Sequence, residues 1–177
     1  MKEALETKDF EALVDAIMTA SKQPSLSSRE TVEPLLLHDE LEVRSCAVKA
    51  LGFYWGLRDF SPSAIEMATT DVDDETRSNA VMSIRCDSPQ ESEFMSLVAI
   101  ILNENESNEF AREVAFRSCL SVLGLPTWQQ PQNDFYPNFE AKADWKLLAD
   151  YFERNKLEVP AAIRDRAEAQ PHGELAE

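Results

Sequence analysis

The residues of this chain that could do chemistry are mostly carboxylates. Thirty-three Asp and Glu face 17 Lys and Arg, so the formal net charge is −16 at neutral pH. The densest acidic run, from Asp71 to Asp74, offers the oxygen ligands that calcium prefers. An EF-hand loop starting at Asp71 needs Gly at its sixth position and Glu at its twelfth, where this chain has Thr76 and Met82. We therefore predict no metal site.

Other catalytic groups are sparse. His38 follows a predicted helix, His172 lies in the tail, and Cys46, Cys86 and Cys119 share no metal-like spacing. We interpret the thiols as structural residues of a protein in a reducing compartment. The four glycines form no phosphate-binding loop, and no Gly-x-Ser-x-Gly or His-Glu-x-x-His motif is present. The sequence therefore predicts no enzymatic activity and no cofactor.

The charge restricts the class of partner. Nucleic acid and anionic membranes are bound by Lys and Arg, so a chain with this acidic excess is expected to bind neither. Acidity can steer a basic protein partner towards the chain, or it can simply maintain solubility, and composition does not separate these two interpretations. The stretch Met1–Phe10 is polar and no apolar run approaches the ~20 residues of a membrane span, so we expect a cytoplasmic protein.

A repeated motif predicts the elements that position these residues. The pattern Arg-x-x-Ala-x-x-x-apolar occurs three times, and its arginines, Arg44, Arg77 and Arg112, lie 33 and 35 residues apart. A fixed period of this size is typical of a solenoid, in which each repeat buries its apolar face against its neighbours. Apolar spacing and caps, such as a capping box at Ser27 and Glu30, predict three helix pairs: 28–38 with 41–55, 62–70 with 74–86, and 90–103 with 108–123.

These elements predict one domain over 1–159. Its repeats span about 28–56, 61–87 and 89–124, an N-terminal capping helix spans 2–20, and a C-terminal cap spans 125–159. The proline-rich aromatic segment Trp128–Phe139 is interpreted as a lid over the last repeat, with a partner-binding loop as the alternative. The tail 160–177 lacks aromatic residues and is predicted to be disordered.

The segment Val32–Gly52 resembles a HEAT repeat. The residues that match the pattern of that family are Pro34, Asp39, Val43, Arg44, Ala47, Leu51 and Gly52. The resemblance extends over about Ser28–Gly124, although the period is shorter than the usual ~40–47 residues, as in compact HEAT-like proteins. It implies an all-α fold: a short right-handed α-α solenoid of helix pairs with capping helices at both ends.

The resemblance also implies a role for the repeated arginines. Each lies near the start of its helix, where a cation is unfavourable to the macrodipole, so we expect each to pair with an acidic turn of its own or of a neighbouring repeat. The expected carboxylate partners are Asp39, Asp71, Asp73, Glu104 and Glu106.

Two surfaces are candidates for partner binding. In HEAT-like solenoids the second helices line the concave face, which here implies contacts from Lys49, Phe53, Met82, Arg85 and Arg117. The turns within the helix pairs form an acidic edge instead, which includes Asp39, Glu40, Asp73, Asp74 and Glu106. That edge either meets a basic partner or is a solvated row of helix caps.

The sequence thus favours a non-catalytic module that binds another protein and is monomeric when isolated. We expect an acidic inhibitor or immunity protein that sequesters a basic toxin or nuclease. The alternative is a scaffold or accessory subunit of an enzyme complex, since some compact HEAT-like proteins resemble bilin lyases.

Overall fold

The computed structural model describes residues 9–105, 107–132, 135 and 137–170. All regular structure within these residues is helical, which confirms the all-α prediction. The α-helices, in chain order, are α1 (Phe10–Ser21), α2 (Leu26–Val32), α3 (Leu41–Val48), α4 (Ser61–Thr70), α5 (Asp74–Ser83), α6 (Ser92–Leu102), α7 (Glu109–Val122), α8 (Phe139–Lys142), α9 (Trp145–Arg154) and α10 (Ala161–Ala169). Shorter turns are the 3-10 helices Glu33–Leu37, Arg58–Phe60 and Thr127–Gln129 and a π-helical turn, Lys49–Tyr54.

The chain divides into two compact units, Met1–Arg85 and Cys86–Glu177. In the first unit α4 packs against α5, and α5 packs against α3 and the π-helical turn. In the second unit α6 packs against α7, and α9 packs against α10. The right-handed solenoid and the single domain over 1–159 stay predictions.

The first unit begins with α1. Asp9 caps this helix by accepting a hydrogen bond from the Ala12 amide at 3.1 Å, while residues 2–8 of the predicted capping helix lie outside the described residues. Leu13 and Ile17 are buried, and α1 packs against α3 and the π-helical turn. The Trp55 indole N–H donates to the Ser21 carbonyl at 3.1 Å, so this aromatic residue is held against the C-terminal end of α1.

The helix cap predicted at Ser27 is wrong. Ser25 caps α2, because its hydroxyl accepts a hydrogen bond from the Ser28 amide at 3.1 Å. The helix ends at Val32 and continues as the tighter 3-10 turn Glu33–Leu37, which contains Pro34. A 3-10 turn is consistent with the kink that a proline inside a helix produces, since proline lacks the amide hydrogen.

The second helix of the first repeat ends in a π-helical turn that sequence periodicity did not predict. The Trp55 amide donates to the Ala50 carbonyl at 3.0 Å, a bond over five residues instead of four. A Cβ atom at Gly52 would overlap the Cβ of Ser83 on α5. Glycine at this position therefore permits the close approach of α5.

An aromatic cluster forms the core of the second unit. Phe116 of α7 makes edge-to-face contacts with Phe135, Phe139 and Trp145, at centroid separations of 5.6, 5.9 and 6.3 Å. Edge-to-face pairs add to the free energy gained by burying the rings. Phe135 and Phe139 of the proline-rich segment therefore pack on α7, whereas Trp128 is 75% exposed, and the interpretation of the segment as a lid stays a prediction.

The prediction of a disordered tail from residue 160 is wrong for Ala161–Ala169, which forms α10. Ile163 of this helix is fully buried, and the Arg166 guanidinium lies 5.2 Å from the centre of the Trp145 ring. A buried apolar side chain, a cation–π contact and ion pairs of Arg166 with Glu104 and Glu140 therefore dock a segment whose composition is polar. Residues 171–177 lie outside the described residues.

Candidate partner-binding site

Arg44 joins the two acidic turns of the first unit. Its Nε and Nη2 atoms each donate to a different carboxylate oxygen of Asp71 at 2.9 Å. Its Nη1 donates to the carbonyl oxygens of His38 and Asp39, again at 2.9 Å. A guanidinium that binds a carboxylate through two nitrogens fixes geometry as well as charge. The turn of the first helix pair is thereby held beside the turn of the second.

Asp71 keeps its negative charge in this arrangement. Burial alone would raise its pKa, but the hydrogen bonds from Arg44 and from the Asp73 amide hold the pKa below its ordinary value of 3.8. Its side chain is only 8% exposed, so this is a nearly buried ion pair. Removing either partner would leave the other charge uncompensated.

All three repeated arginines bind a backbone carbonyl that precedes their own helix. Arg77 donates from Nη1 to the Asp71 carbonyl at 2.9 Å, and Arg112 donates from Nε to the Ile101 carbonyl at 2.8 Å. Carbonyls at the C-terminal end of a helix lack intrahelical donors and carry partial negative charge. The guanidinium thus donates hydrogen bonds to carbonyls at the end of the first helix of a pair. These bonds offset the unfavourable position of the cation at the start of the second helix.

Arg77 and Arg112 each pair with a carboxylate that was not named among the expected partners. Arg77 pairs with Asp74 of its own helix. Arg112 pairs with Glu140, at 2.6 Å, and Glu104 pairs with Arg166 at 2.7 Å.

The predicted acidic-edge residues of the first unit occupy two environments. Asp39 and Glu40 are exposed, and the Asp74 side chain is 63% exposed. Asp73 is half-buried and caps α5 by accepting hydrogen bonds from the amide and the hydroxyl of Thr76. Asp73 is therefore structural, Asp74 is exposed but forms an ion pair with Arg77, and Asp39 and Glu40 carry charge to the surface. Glu106 lies outside the described residues.

A groove of about 620 Å³ lies between the 3-10 turn Glu33–Leu37 and α4. Its lining includes Leu37 and Val72, which are 89% and 88% exposed, together with the carboxylates of Asp39 and Glu66. Sequence reasoning did not single out this groove. The available signal was Val72, an apolar residue inside an otherwise acidic turn.

The concave-face residues predicted in the first unit include one large exposed apolar side chain. Phe53 is 47% exposed and contacts Tyr54 edge to face, with ring centroids 5.3 Å apart. Lys49 and Met82 are half-buried. Arg85 donates from Nη2 to the Gly52 and Phe53 carbonyls at 3.0 Å. Its cation therefore stabilises the π-helical turn.

Arg117, the remaining residue predicted to contact a partner, lies in the second unit. Its Nε donates to Glu113 at 2.9 Å, and its Nη1 donates to the Pro131 carbonyl at 2.6 Å. The guanidinium also lies 4.9 Å from the centre of the Phe135 ring. These contacts hold the aromatic segment against α7.

A second groove, of about 890 Å³, lies in the second unit between α9 and α10. Its lining mixes Lys146 and Arg164 with Asp150 and Glu168. Because charges of both signs are interspersed, this groove favours neither an acidic nor a basic ligand.

The cysteines do not form a reactive centre in the structure. Burial raises the pKa of the thiols of Cys46, Cys86 and Cys119, which disfavours the nucleophilic thiolate. Among the residues that the structure describes, no three His, Cys, Asp or Glu side chains are grouped to hold a metal ion. The predicted lack of enzymatic activity stays a prediction.

Comparison of the chain with protein-family models, with curated proteins and with solved structures found no match. The resemblance to HEAT repeats therefore stays a prediction from the motif. Within the described part of the chain, no helix has both the length and the apolar character needed to cross a membrane.

Proposed function

We propose that this chain is a non-catalytic protein-binding module with a HEAT-like solenoid fold, and that its acidic edge binds a basic partner. The observation that carries the proposal is the Arg44–Asp71 pair, which holds two acidic turns side by side. Asp39 and Glu40 on one turn, and Glu75 at the start of the helix that follows the other turn, present exposed carboxylates. A preorganised row of like charges attracts a partner of opposite charge and raises its association rate.

The proposed role is that of an inhibitor or immunity protein. Such a protein needs no catalytic groups of its own, and it blocks a basic toxin or nuclease by covering the positive surface with which that enzyme binds its substrate. A cytoplasmic location and a monomeric isolated chain belong to the same proposal. The net charge of −16 supports it, because electrostatic steering scales with charge.

Affinity capture with a variant of the edge tests the proposal. The edge variant combines Asp39→Asn, Glu40→Gln and Glu75→Gln, which remove two exposed carboxylates of the first turn and one at the start of α5. The proteins that it and the wild-type chain retain from a cell extract are identified by mass spectrometry. The wild-type chain is expected to retain at least one basic protein at low ionic strength and to lose it at high ionic strength, because salt screens exposed charges. The edge variant is expected to retain much less of it.

A matched variant controls for net charge. Glu11→Gln, Asp15→Asn and Glu30→Gln neutralise three exposed carboxylates of the same unit that lie outside the two turns. This variant is expected to retain the basic protein as the wild type does. Equal losses in both variants, or a partner that high salt does not release, would overturn the electrostatic edge.

A further inference from the structure

The groove beside the acidic edge contains two large apolar side chains that stay exposed in the folded chain. Leu37 and Val72 line it and are 89% and 88% exposed. Single exposed apolar residues are common on protein surfaces, but two of them at one concave site mark a surface for an apolar ligand group. Leu36 and Met67 line the same groove, so the apolar part extends beyond the two exposed side chains.

The charged lining of the groove is strongly biased to one sign. Glu33, Asp39, Glu66 and Asp71 contribute carboxylates, and the only guanidinium in the lining, that of Arg44, is bound to Asp71. Glu33 is also exposed but forms an ion pair with Arg29, so Asp39 and Glu66 are the rim carboxylates that a cationic ligand would meet.

The C-terminal ends of two flanking elements also lie at the groove, where Arg44 and Arg77 bind the His38, Asp39 and Asp71 carbonyls that follow them. The ten-residue helix α4 ends at Thr70, and the 3-10 turn ends at Leu37, so the C-terminal ends of both elements lie at the groove. The C-terminal end of a helix carries partial negative charge and favours a cation. Because Asp39 and Glu66 lie at its rim, the site combines apolar contact area with negative charge.

We propose that this groove binds a cationic peptide segment of a partner protein. The segment inserts one or two large apolar side chains between Leu37 and Val72, and it places Lys or Arg side chains against Asp39 and Glu66. A second copy of this chain is a poor occupant, because each copy carries a net charge of −16. The inference rests on the proposed function, and it adds the location of the site and the apolar part of the recognition.

Peptides that differ only in their apolar residues test the inference. The probe is fluorescently labelled Lys-Arg-Lys-Leu-Leu-Lys-Arg-Lys, and its matched control has Ser in place of both Leu. Fluorescence anisotropy with the full chain is expected to give a dissociation constant for the Leu peptide about tenfold below that of the Ser peptide, the ratio that corresponds to ~1.4 kcal/mol of apolar contact. Equal affinity of the two peptides overturns the apolar part of the inference.

Surface variants then locate the site. Leu37→Ser with Val72→Ser changes two almost fully exposed side chains, so folding should be unaffected, which a thermal melt verifies. This variant is expected to weaken binding of the Leu peptide about tenfold. Leu26→Ser, at a site 74% exposed but outside the groove, is the matched control and should leave the affinity within about twofold. A Leu37/Val72 variant that binds as tightly as the wild type overturns the location.

A measurement on the wild-type chain provides a second test that needs no substitution. Met67 lines the groove, so its methyl resonance should shift on titration with the Leu peptide and stay unchanged with an acidic peptide in which Glu replaces Lys and Arg. If the Leu peptide binds without shifting Met67, the groove is excluded while the acidic-edge proposal stands. If basic proteins also bind the edge variant as well as they bind the wild type, the proposed function fails independently of the groove.

Discussion

Arg44 in the first unit and Arg112 in the second occupy the same position of the repeated motif, but they are neutralised by carboxylates of different origin. Arg44 is bound by Asp71, 27 residues further along, in the turn of the next helix pair. Arg112 is bound by Glu140, 28 residues further along, in a segment that carries no repeat motif. The C-terminal segment therefore supplies Arg112 with a carboxylate at nearly the sequence offset at which the turn of the next helix pair supplies one to Arg44.

The two pairs differ in how much the carboxylate depends on its arginine. The Asp71 side chain is 8% exposed and receives both of its charged hydrogen bonds from Arg44. The Glu140 side chain is 44% exposed and also pairs with Arg166. A buried carboxylate with one cation is destabilised far more by losing that cation than a half-exposed carboxylate with two.

The largest effect is expected from Arg44→Ala. It leaves Asp71 buried without its cation, and we expect the free energy of unfolding to fall by about 3 kcal/mol, the lower end of the range for a broken buried pair. Because domains are stable by only ~5–15 kcal/mol, chemical denaturation will resolve the change easily.

Two companion variants sharpen the test of Arg44. Arg44→Lys keeps the charge but cannot bind both carboxylate oxygens in the same way, so an intermediate loss is expected. Arg44→Met combined with Asp71→Leu removes both charges and should recover much of the stability lost in Arg44→Ala. A loss below ~1 kcal/mol in Arg44→Ala, the range of a surface pair, would contradict the assignment of this pair as buried.

Arg112→Ala is expected to lower the free energy of unfolding by a smaller amount, about 2 kcal/mol. The buried Ile101 carbonyl loses its hydrogen-bond donor, but Glu140 keeps its ion pair with Arg166. The matched control is Arg154→Ala, which removes an exposed guanidinium 5.0 Å from the ring of Tyr151. This control substitution should lower the free energy of unfolding by about 0.5–1 kcal/mol. If Arg112→Ala and Arg44→Ala lower the free energy of unfolding by the same amount, the exposure of the carboxylate partner does not determine the effect of removing its arginine.

The sequence predicted one side of this comparison and missed the other. The 33- and 35-residue spacing identified the three arginines, and the acidic turns identified Asp71 among their expected partners. Glu140 lies in a segment without a repeat, so periodicity gave no reason to consider it. The signal that was available was the sequence offset, because adding the 27-residue separation of Arg44 and Asp71 to Arg112 reaches Phe139, the neighbour of Glu140.

The groove and the π-helical turn were missed for another reason. Periodicity assigns apolar residues to a core, and it has no means of recognising Leu37 and Val72 as exposed residues of one groove. Gly52 was identified as part of the motif, but its role depends on contact with Ser83, which is 31 residues away in sequence. Both features depend on how separate elements pack, which local propensity does not determine.

The smallest expected effect is the pH dependence of stability. Protonation removes the charge of Asp71 in the first unit and of Glu140 in the second, and so compares the two ion pairs without deleting an arginine. The pKa values of Asp71 and Glu140 are both lowered in the folded chain: burial opposes this shift, but the hydrogen bonds from their arginines outweigh it. A lowered folded-state pKa adds stability above the unfolded-state value, near 3.8 for Asp and 4.5 for Glu, and that stability is lost as the pH falls through the folded-state pKa.

The difference in unfolding free energy between the wild type and Asp71→Asn should therefore be constant from neutral pH down to the ordinary aspartate pKa, and it should shrink below it. The corresponding difference for Glu140→Gln should begin to shrink at a higher pH, because the ordinary pKa of glutamate is higher. Each protonation changes a charge but removes no side chain, so both changes should be smaller than those of the arginine deletions. Urea denaturation at a series of pH values measures them, and a difference that grows on acidification would show that these carboxylates are not stabilised by their arginines.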